Sequence, residues 1–474
     1  MTARPDGEPP TVSRRSNPRP VTLGWRRRLG VASLLVAALA LPSCVAGGGA
    51  PTVPSLSTKS DRHHTASPIQ HVVFIIQENR SFNNLFMGYP KAKTAKYGYD
   101  TDGDKIPLHK VDLATAWDIE HSSTSFFTDC DGTGSLPGTQ CKMDGWNNEI
   151  AGLGHPPNFA YAYVPENQID PYWKMAKQYV LADHMFASNL DGSFVAHQYA
   201  VAAYSSAAVD GPTLQWGCEG GPSDKTVTLT QQRTYGASIP GCFDNPTIGI
   251  NADNAGVSWR FYAGSVTGDG GLWSAYQADS PVYDGPDWTT DVINPPSQFL
   301  KDIANGTLAN VTWITPTDET SDHPGLVASK GPAWVASLVN AIGKSPYWNS
   351  TAIFIMWDDW GGWFDPVQPV FEDYDGLGFR VPLLIVSPYA RQGYVTHVQY
   401  ETASVLRFIE DTFGLPQMAP SDTRAADPAG DAFNFTQQPR KFKKFGGAKP
   451  LEYWRRLDRL APKASKPNSI IGDD

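Results

Sequence analysis

Val72-Val73-Phe74-Ile75-Ile76 is apolar at every position, and Ala352-Ile353-Phe354-Ile355-Met356-Trp357 repeats the pattern far downstream. A strand with one wet face alternates apolar and polar residues, whereas a strand covered on both faces does not. Runs of this kind recur at His71–Ile76, Val311–Thr315, Ala352–Trp357 and Val381–Val386, each bounded by turn-forming residues. They read as buried parallel strands. Helical spacing appears between and after them, at Pro332–Ile342 and Thr402–Phe413. Strands alternating with helices predict an α/β fold: a mostly parallel central sheet with helices on both faces. The region 85–300 is richer in Gly, Asn, Asp, Trp and Tyr, and reads as long insertions roofing an active site. No repeat and no linker-like stretch divides residues 69–440, which read as one domain.

Two of these strands end in chemically loaded turns. Glu78-Asn79-Arg80-Ser81-Phe82 comes after the first, and Asp358-Asp359 comes after the run ending at Trp357, 280 residues later. In open α/β sheets, ligands gather at the carboxyl ends of the strands. A carboxylate, an amide oxygen and two more carboxylates suit one divalent cation that prefers oxygen. Adjacent carboxylates at a partly desolvated strand end repel each other, and a cation removes that cost. Gly361-Gly362 would let the backbone pass close to a ligand. Taken alone, Glu78-Asn79 also reads as a polar strand-to-helix turn, with Asn79 or Ser81 as the cap.

Three further candidates lie in loops. His323 sits in Asp318-Glu319-Thr320-Ser321-Asp322-His323, just past a strand, where it can donate to a phosphoryl oxygen or act as an acid; the plain alternative is a surface histidine. Ser193, in Asn189-Leu190-Asp191-Gly192-Ser193-Phe194, has the setting of a nucleophile at a helix start, where free N–H groups favour an anion. It reads equally as a helix cap. His121 and His197 carry less signal by themselves. Asp100-Thr101-Asp102-Gly103-Asp104 hints at calcium, but its glycine comes too early for an EF-hand. Neither G-x-S-x-G nor H-E-x-x-H occurs.

The N-terminus reads as an export signal over residues 1–44. Seven arginines precede the apolar run Leu29 to Leu41, and Leu41-Pro42-Ser43-Cys44 closes it. Cys44 is either the lipid-bearing residue of a lipoprotein or part of a plain cleaved signal, and the export route is open between the general and twin-arginine systems. Residues 45–68, rich in Gly, Pro, Ser and Thr, read as a flexible tether, and 441–474 as a polar tail. Of 38 basic and 48 acidic residues, 7 and 2 precede Cys44, leaving 31 against 46. Such an acidic remainder argues against nucleic acid as a partner, and nothing calls for an obligate protein partner. The expected locations are secreted, periplasmic or cell-envelope lipoprotein. Cys130, Cys141, Cys218 and Cys242 are an even set in an oxidising compartment. Of three pairings, Cys130–Cys141 with Cys218–Cys242 closes the shortest loops.

Together these segments resemble the bacterial phosphoesterase family of phospholipases C and acid phosphatases. The resemblance rests on His71–Phe86 (HVVFIIQENRSFNNLF), Lys142–Trp146, Ala182–Tyr199, Trp259–Tyr262, Val311–Gly325, Ala352–Val367 and Phe379–Leu415, in order. It implies an alkaline-phosphatase-like α/β fold and hydrolysis of a phosphoester, either a small phosphate ester or a phospholipid head group. It further implies one divalent metal ion of unknown identity, held by Glu78, Asn79, Asp358, Asp359 and Ser193. Ser193 then looks like the nucleophile, where phospholipase relatives often have threonine. His121 and His323 look like phosphate-binding or proton-transferring groups; His197 lies near the nucleophile with no assigned role. Asn83 stands where the family usually has aspartate. Asp365-Pro366-Val367 stands for the common Asp-His-Val, which removes one candidate for protonating the leaving group. Ser193 with Phe194 and His197 leans towards the acid-phosphatase branch. The competing reading is an exported binding or surface protein that kept the fold and lost turnover; the intact ligand set and Ser193 argue against it.

Overall fold

The computed structural model describes residues 67–212, 216–266 and 271–460. The expected export signal with Cys44, the tether up to residue 66 and residues 461–474 of the expected tail lie outside the described residues. Eight strands form the central sheet: β1 (His71–Gln77), β2 (Val180–Ala182), β3 (Trp259–Tyr262), β4 (Val292–Ile293), β5 (Val311–Ile314), β6 (Thr351–Trp357), β7 (Leu383–Val386) and β8 (Tyr394–Thr396). Their order across the sheet is β4-β3-β5-β1-β6-β7-β2-β8. The continuous apolar runs are the central strands. β1 pairs in parallel with β5 on one side and β6 on the other, and its residues Val72 to Ile76 are buried. Each fully buried Val, Ile or Phe contributes about 1.5–3 kcal/mol, so β1 and β6 are held chiefly by coverage of both faces.

Two expectations are corrected. The run Val381–Val386 forms a strand only from Leu383, and that strand is antiparallel to both neighbours, β6 and β2. Burial on both faces makes a strand apolar whichever way it runs, so composition does not encode direction. The region 85–300 is more than a roof, because it contributes β2, β3 and β4 to the main sheet. These strands have three, four and two residues, too few for a periodic signal.

Five helices matter for the site and its support: α1 (Phe82–Phe86), α2 (Ser193–Ala202), α3 (Gly331–Gly343), α4 (Thr402–Phe413) and α5 (Leu451–Leu460). α4 keeps the bounds read from its spacing, and α3 extends one residue beyond its expectation at each end. α2 is buried at all ten positions, which fits a helix running through the interior rather than over it. Past residue 440 the chain still packs: Phe445 and Trp454 are buried, and the Trp454 ring meets Trp334 of α3 at 5.0 Å. Among the described residues no helix is long and apolar enough to cross a membrane.

Both expected disulfides are present, Cys130–Cys141 and Cys218–Cys242, closing separations of 11 and 24 residues. Bridges over loops of this size contribute about 2–4 kcal/mol. Reduction should therefore lower the melting temperature measured by circular dichroism; an unchanged midpoint after complete reduction would count against any stabilising role.

A buried ion pair ties the segment after β6 to the segment before β7. Arg380 donates through Nε and Nη2 to the two Asp365 oxygens at 2.8 and 2.9 Å, with both side chains fully buried. The Asn83 N–H also donates to Asp365, at 3.1 Å, and the guanidinium lies 4.6 Å from the Phe82 ring centre. Asn83, the family departure, exchanges two hydrogen bonds with the Ala95 backbone at 2.8 and 3.1 Å, so its amide braces a loop. Removing one partner of a fully buried pair strands the other charge, at about 3–5 kcal/mol. Arg380→Ala should show that loss as a lower urea midpoint, and a wild-type midpoint would refute it.

Candidate active site

The register of β1 against β6 builds the site. Gln77 and Trp357 are the last paired residues, so Glu78 and Asp358 leave the sheet side by side. The Asp358 N–H donates to Gln77 O at 3.0 Å, and the Asn79 N–H donates to Asp358 Oδ1 at 3.0 Å, locking the two turns together. Asn79 takes a positive φ of 58°, which asparagine tolerates better than most residues. Gly361 and Gly362 also have positive φ, 60° and 68°. A Cβ on Gly361 would lie 2.2 Å from Asn79 O, and one on Gly362 2.2 Å from Ile119 Cγ2. The glycine pair thus lets the Asp358-Asp359 turn press against the Asn79 and His121 segments.

The structure brings all the expected metal and nucleophile residues together. The Ser193 hydroxyl donates to Glu78 Oε2 at 3.4 Å, and Asn79 Nδ2 donates to Ser193 Oγ at 3.4 Å and to Asp359 Oδ2 at 3.3 Å. Glu78, Asn79, Ser193, Asp358 and Asp359 are at most 1% exposed. Ser193 is the first residue of α2, and Gly192 occupies the cap position. The helix-cap alternative is therefore set aside, and the hydroxyl points at the carboxylate cluster instead. Ser81, not Asn79, caps α1, accepting from Asn84 N–H at 3.2 Å.

His197 lies one turn along α2 from Ser193 and so on the same face. Its Nε2 is 3.1 Å from Glu78 Oε1 and 3.8 Å from Asp358 Oδ2. Ligand atoms of Glu78, His197 and Asp358 lie within 4.8 Å of one another, close enough for one ion. Asn79 Oδ1 and Asp358 Oδ2 are buried and have no hydrogen-bond partner among the described residues. Orphaned acceptors inside a cluster of three carboxylates are what a hard cation would satisfy.

The two remaining histidines are oriented alike. His121 Nδ1 donates to Ile119 O at 2.7 Å, and His323 Nδ1 donates to Pro324 O. In a neutral ring that leaves each Nε2 as the acceptor. His121 Nε2 accepts from Asn79 Nδ2 at 2.6 Å and is 3.8 Å from Asp359 Oδ2. The rings of His121 and His323 are 6.0 Å apart, and the buried Trp273 ring lies 6.0 Å from His323 at 28°. His323 is fully buried, so the surface-histidine reading is corrected.

Sequence reading missed the support behind these groups. Asp322 receives Tyr172 Oη–H at 2.7 Å and Trp357 Nε1–H at 3.2 Å, while its backbone oxygen receives Arg80 Nε–H at 2.8 Å. Burial pushes the Asp322 carboxyl up to about 6, although Tyr172, Arg80 and Trp357 all pull it down. Arg80 also donates to Leu113 O at 2.7 Å and lies 5.0 Å from the Trp363 ring centre. Burial lowers its guanidinium to about 10, and Asp322 opposes the shift. Both residues stand inside segments singled out in the sequence, but only the assembled structure shows that they brace the strand ends.

A model of the phosphoesterase family matches residues 69–416. The chain belongs to the phosphoesterase family. It is 26% identical over 450 residues to a non-hemolytic phospholipase C of Burkholderia pseudomallei, covering 79% of this chain and 60% of that enzyme. It is also 26% identical over 478 residues to phospholipase C B of Mycobacterium tuberculosis, covering 85% of this chain and 84% of that one. The first overlap thus spans about three-fifths of the Burkholderia enzyme's length. Among solved structures, a Vibrio parahaemolyticus protein of the alkaline phosphatase superfamily is similar at TM-score 0.35 and 8% identity, over 74% of this chain and 68% of that one.

Proposed function

We propose that the chain is an exported phosphoric ester hydrolase that depends on one divalent metal ion and attacks through Ser193. One observation carries the reading: the Ser193 hydroxyl starts a buried helix and sits 3.4 Å from both Glu78 Oε2 and Asn79 Nδ2, inside the carboxylate cluster. Glu78, Asn79, Asp358, Asp359 and Ser193 would hold the ion, with His197 adjacent. When bound, the ion offsets the charge of the carboxylates and of the phosphoryl oxygens. Phosphoryl transfer is mostly positioning and charge stabilisation, so the protein's part is geometric. The N–H groups of the first turn of α2 receive phosphoryl oxygens. Ser193 Oγ attacks phosphorus in line with the leaving group while its proton passes to Glu78 Oε2, the oxygen it already faces; the ester bond breaks and a phosphoserine forms, which water then cleaves to phosphate and the restored serine hydroxyl. Protonated at Nε2, His121 and His323 steady phosphoryl oxygens or pass the proton that the leaving group needs, a role Pro366 cannot take.

The named relatives support a phospholipase C type diester substrate, whereas Ser193, Phe194 and His197 lean towards a phosphomonoester. The two disulfides support export to an oxidising compartment. Lipid attachment at Cys44 stays part of the same proposal. The deciding assay offers a chromogenic phosphomonoester and a chromogenic choline phosphodiester to the purified protein. Turnover of either supports hydrolysis and selects the branch. Absence of turnover of both across metals and pH would favour the non-catalytic binding protein.

A further inference from the structure

A second group of metal-ligating side chains lies on the same carboxyl edge of the sheet. β2 and β8 pair in parallel with Ala182 opposite Thr396, so the next residues, Asp183 and His397, leave the sheet together. The Asp183 N–H donates to Thr396 O at 3.1 Å and fixes that exit. His184 is next in the chain, and its carbonyl accepts from Tyr400 N–H at 2.9 Å. Three donor atoms converge there. His184 Nδ1 lies 2.7 Å and His397 Nδ1 2.8 Å from the same Asp183 Oδ1.

The environment is that of a built site open on one side. The Asp183 side chain is fully buried, while those of His184 and His397 are 27% and 59% exposed. Asp183 is held from behind at its side chain and its backbone. Lys93 N–H donates to Oδ2 at 2.8 Å, and Arg380 Nη1–H donates to the Asp183 carbonyl at 2.5 Å. Two imidazole nitrogens and one carboxylate oxygen, all within 4.8 Å of one another, suit a borderline ion such as zinc, with positions left for water.

We propose that Asp183, His184 and His397 form a metal site for a zinc-like divalent ion, separate from the Glu78 cluster and sharing no residue with it. The ion would clamp two chain segments 214 residues apart at the junction of β2 and β8. Its nitrogen-rich donor set separates it chemically from the oxygen-rich cluster around Ser193.

The test strips the full-length protein with chelator and titrates Zn²⁺ alone by calorimetry, with bound metal counted after dialysis. The double variant His184→Gln/His397→Gln should bind one equivalent fewer. If that equivalent persists, it should bind more than about 100-fold weaker, because even outer-shell partners cost 10–100-fold. Zn²⁺ should also raise the melting temperature of the wild type by more than that of the double variant. Equal stoichiometry and affinity in the two proteins would overturn the site. If the double variant is unfolded in chelator, the single variant His397→Gln, at the more exposed ring, decides. A more than about tenfold weakening of one equivalent supports the site, and unchanged affinity overturns it.

Discussion

Ser193→Ala is expected to lower turnover by about a thousandfold or more, the usual scale for loss of an activated nucleophile. The change removes one oxygen from a buried position at the start of α2 and leaves Gly192 as the cap, so the fold should survive. Ser193→Thr keeps the hydroxyl beside Glu78 and Asn79 and should retain measurable activity. A covalent intermediate also has a stereochemical consequence. Two in-line displacements give net retention at phosphorus. Steady-state kinetics on both variants, with a chiral phosphate ester for the wild type, checks all three outcomes. Inversion, or near-normal turnover of the alanine variant, would mean that water attacks directly and that Ser193 only shapes the helix start.

Loss of the metal should be nearly as severe. Exhaustive chelation is expected to abolish turnover, and Asp358→Asn or Asp359→Asn should do the same while circular dichroism stays native. Re-addition of a divalent ion should restore the chelated wild type but not the variants. Stability should respond as well. Glu78, Asp358 and Asp359 are buried together, and stripping the ion leaves their charges facing one another. An ion that binds only the folded state stabilises it by mass action, so the melting temperature should rise with metal concentration in the wild type. Full activity after chelation would falsify the metal reading.

Much of this architecture was legible in the residues. The runs at β1, β5 and β6 lack a regular polar alternation because their residues are buried on both faces, and α4 shows its full length because its apolar face repeats at helical spacing. Glu78-Asn79 and Asp358-Asp359 stood out because charge at the end of a buried strand is costly unless something offsets it. The disulfide pairing could be read from loop length. The direction of β7 could not, since burial on both faces leaves the same composition either way. Nor did β2 to β4 emerge from 85–300, where strands of two to four residues carry no period.

The residues around the site divide along the same line. Local sequence determined which groups stand as candidates: the two acidic turns, the serine after glycine and the loop histidines. Only the tertiary structure decided which of them meet. The pairing of Gln77 with Trp357 sets Glu78 beside Asp358, although 280 residues separate them, and helical geometry turns His197 towards both. Tyr172 and Trp357 on Asp322, Arg380 on Asp365, and His397 beside Asp183 are likewise contacts between separate segments. Strand register and the burial of the sheet's carboxyl edge create them, and neither is written in the local pattern of residues.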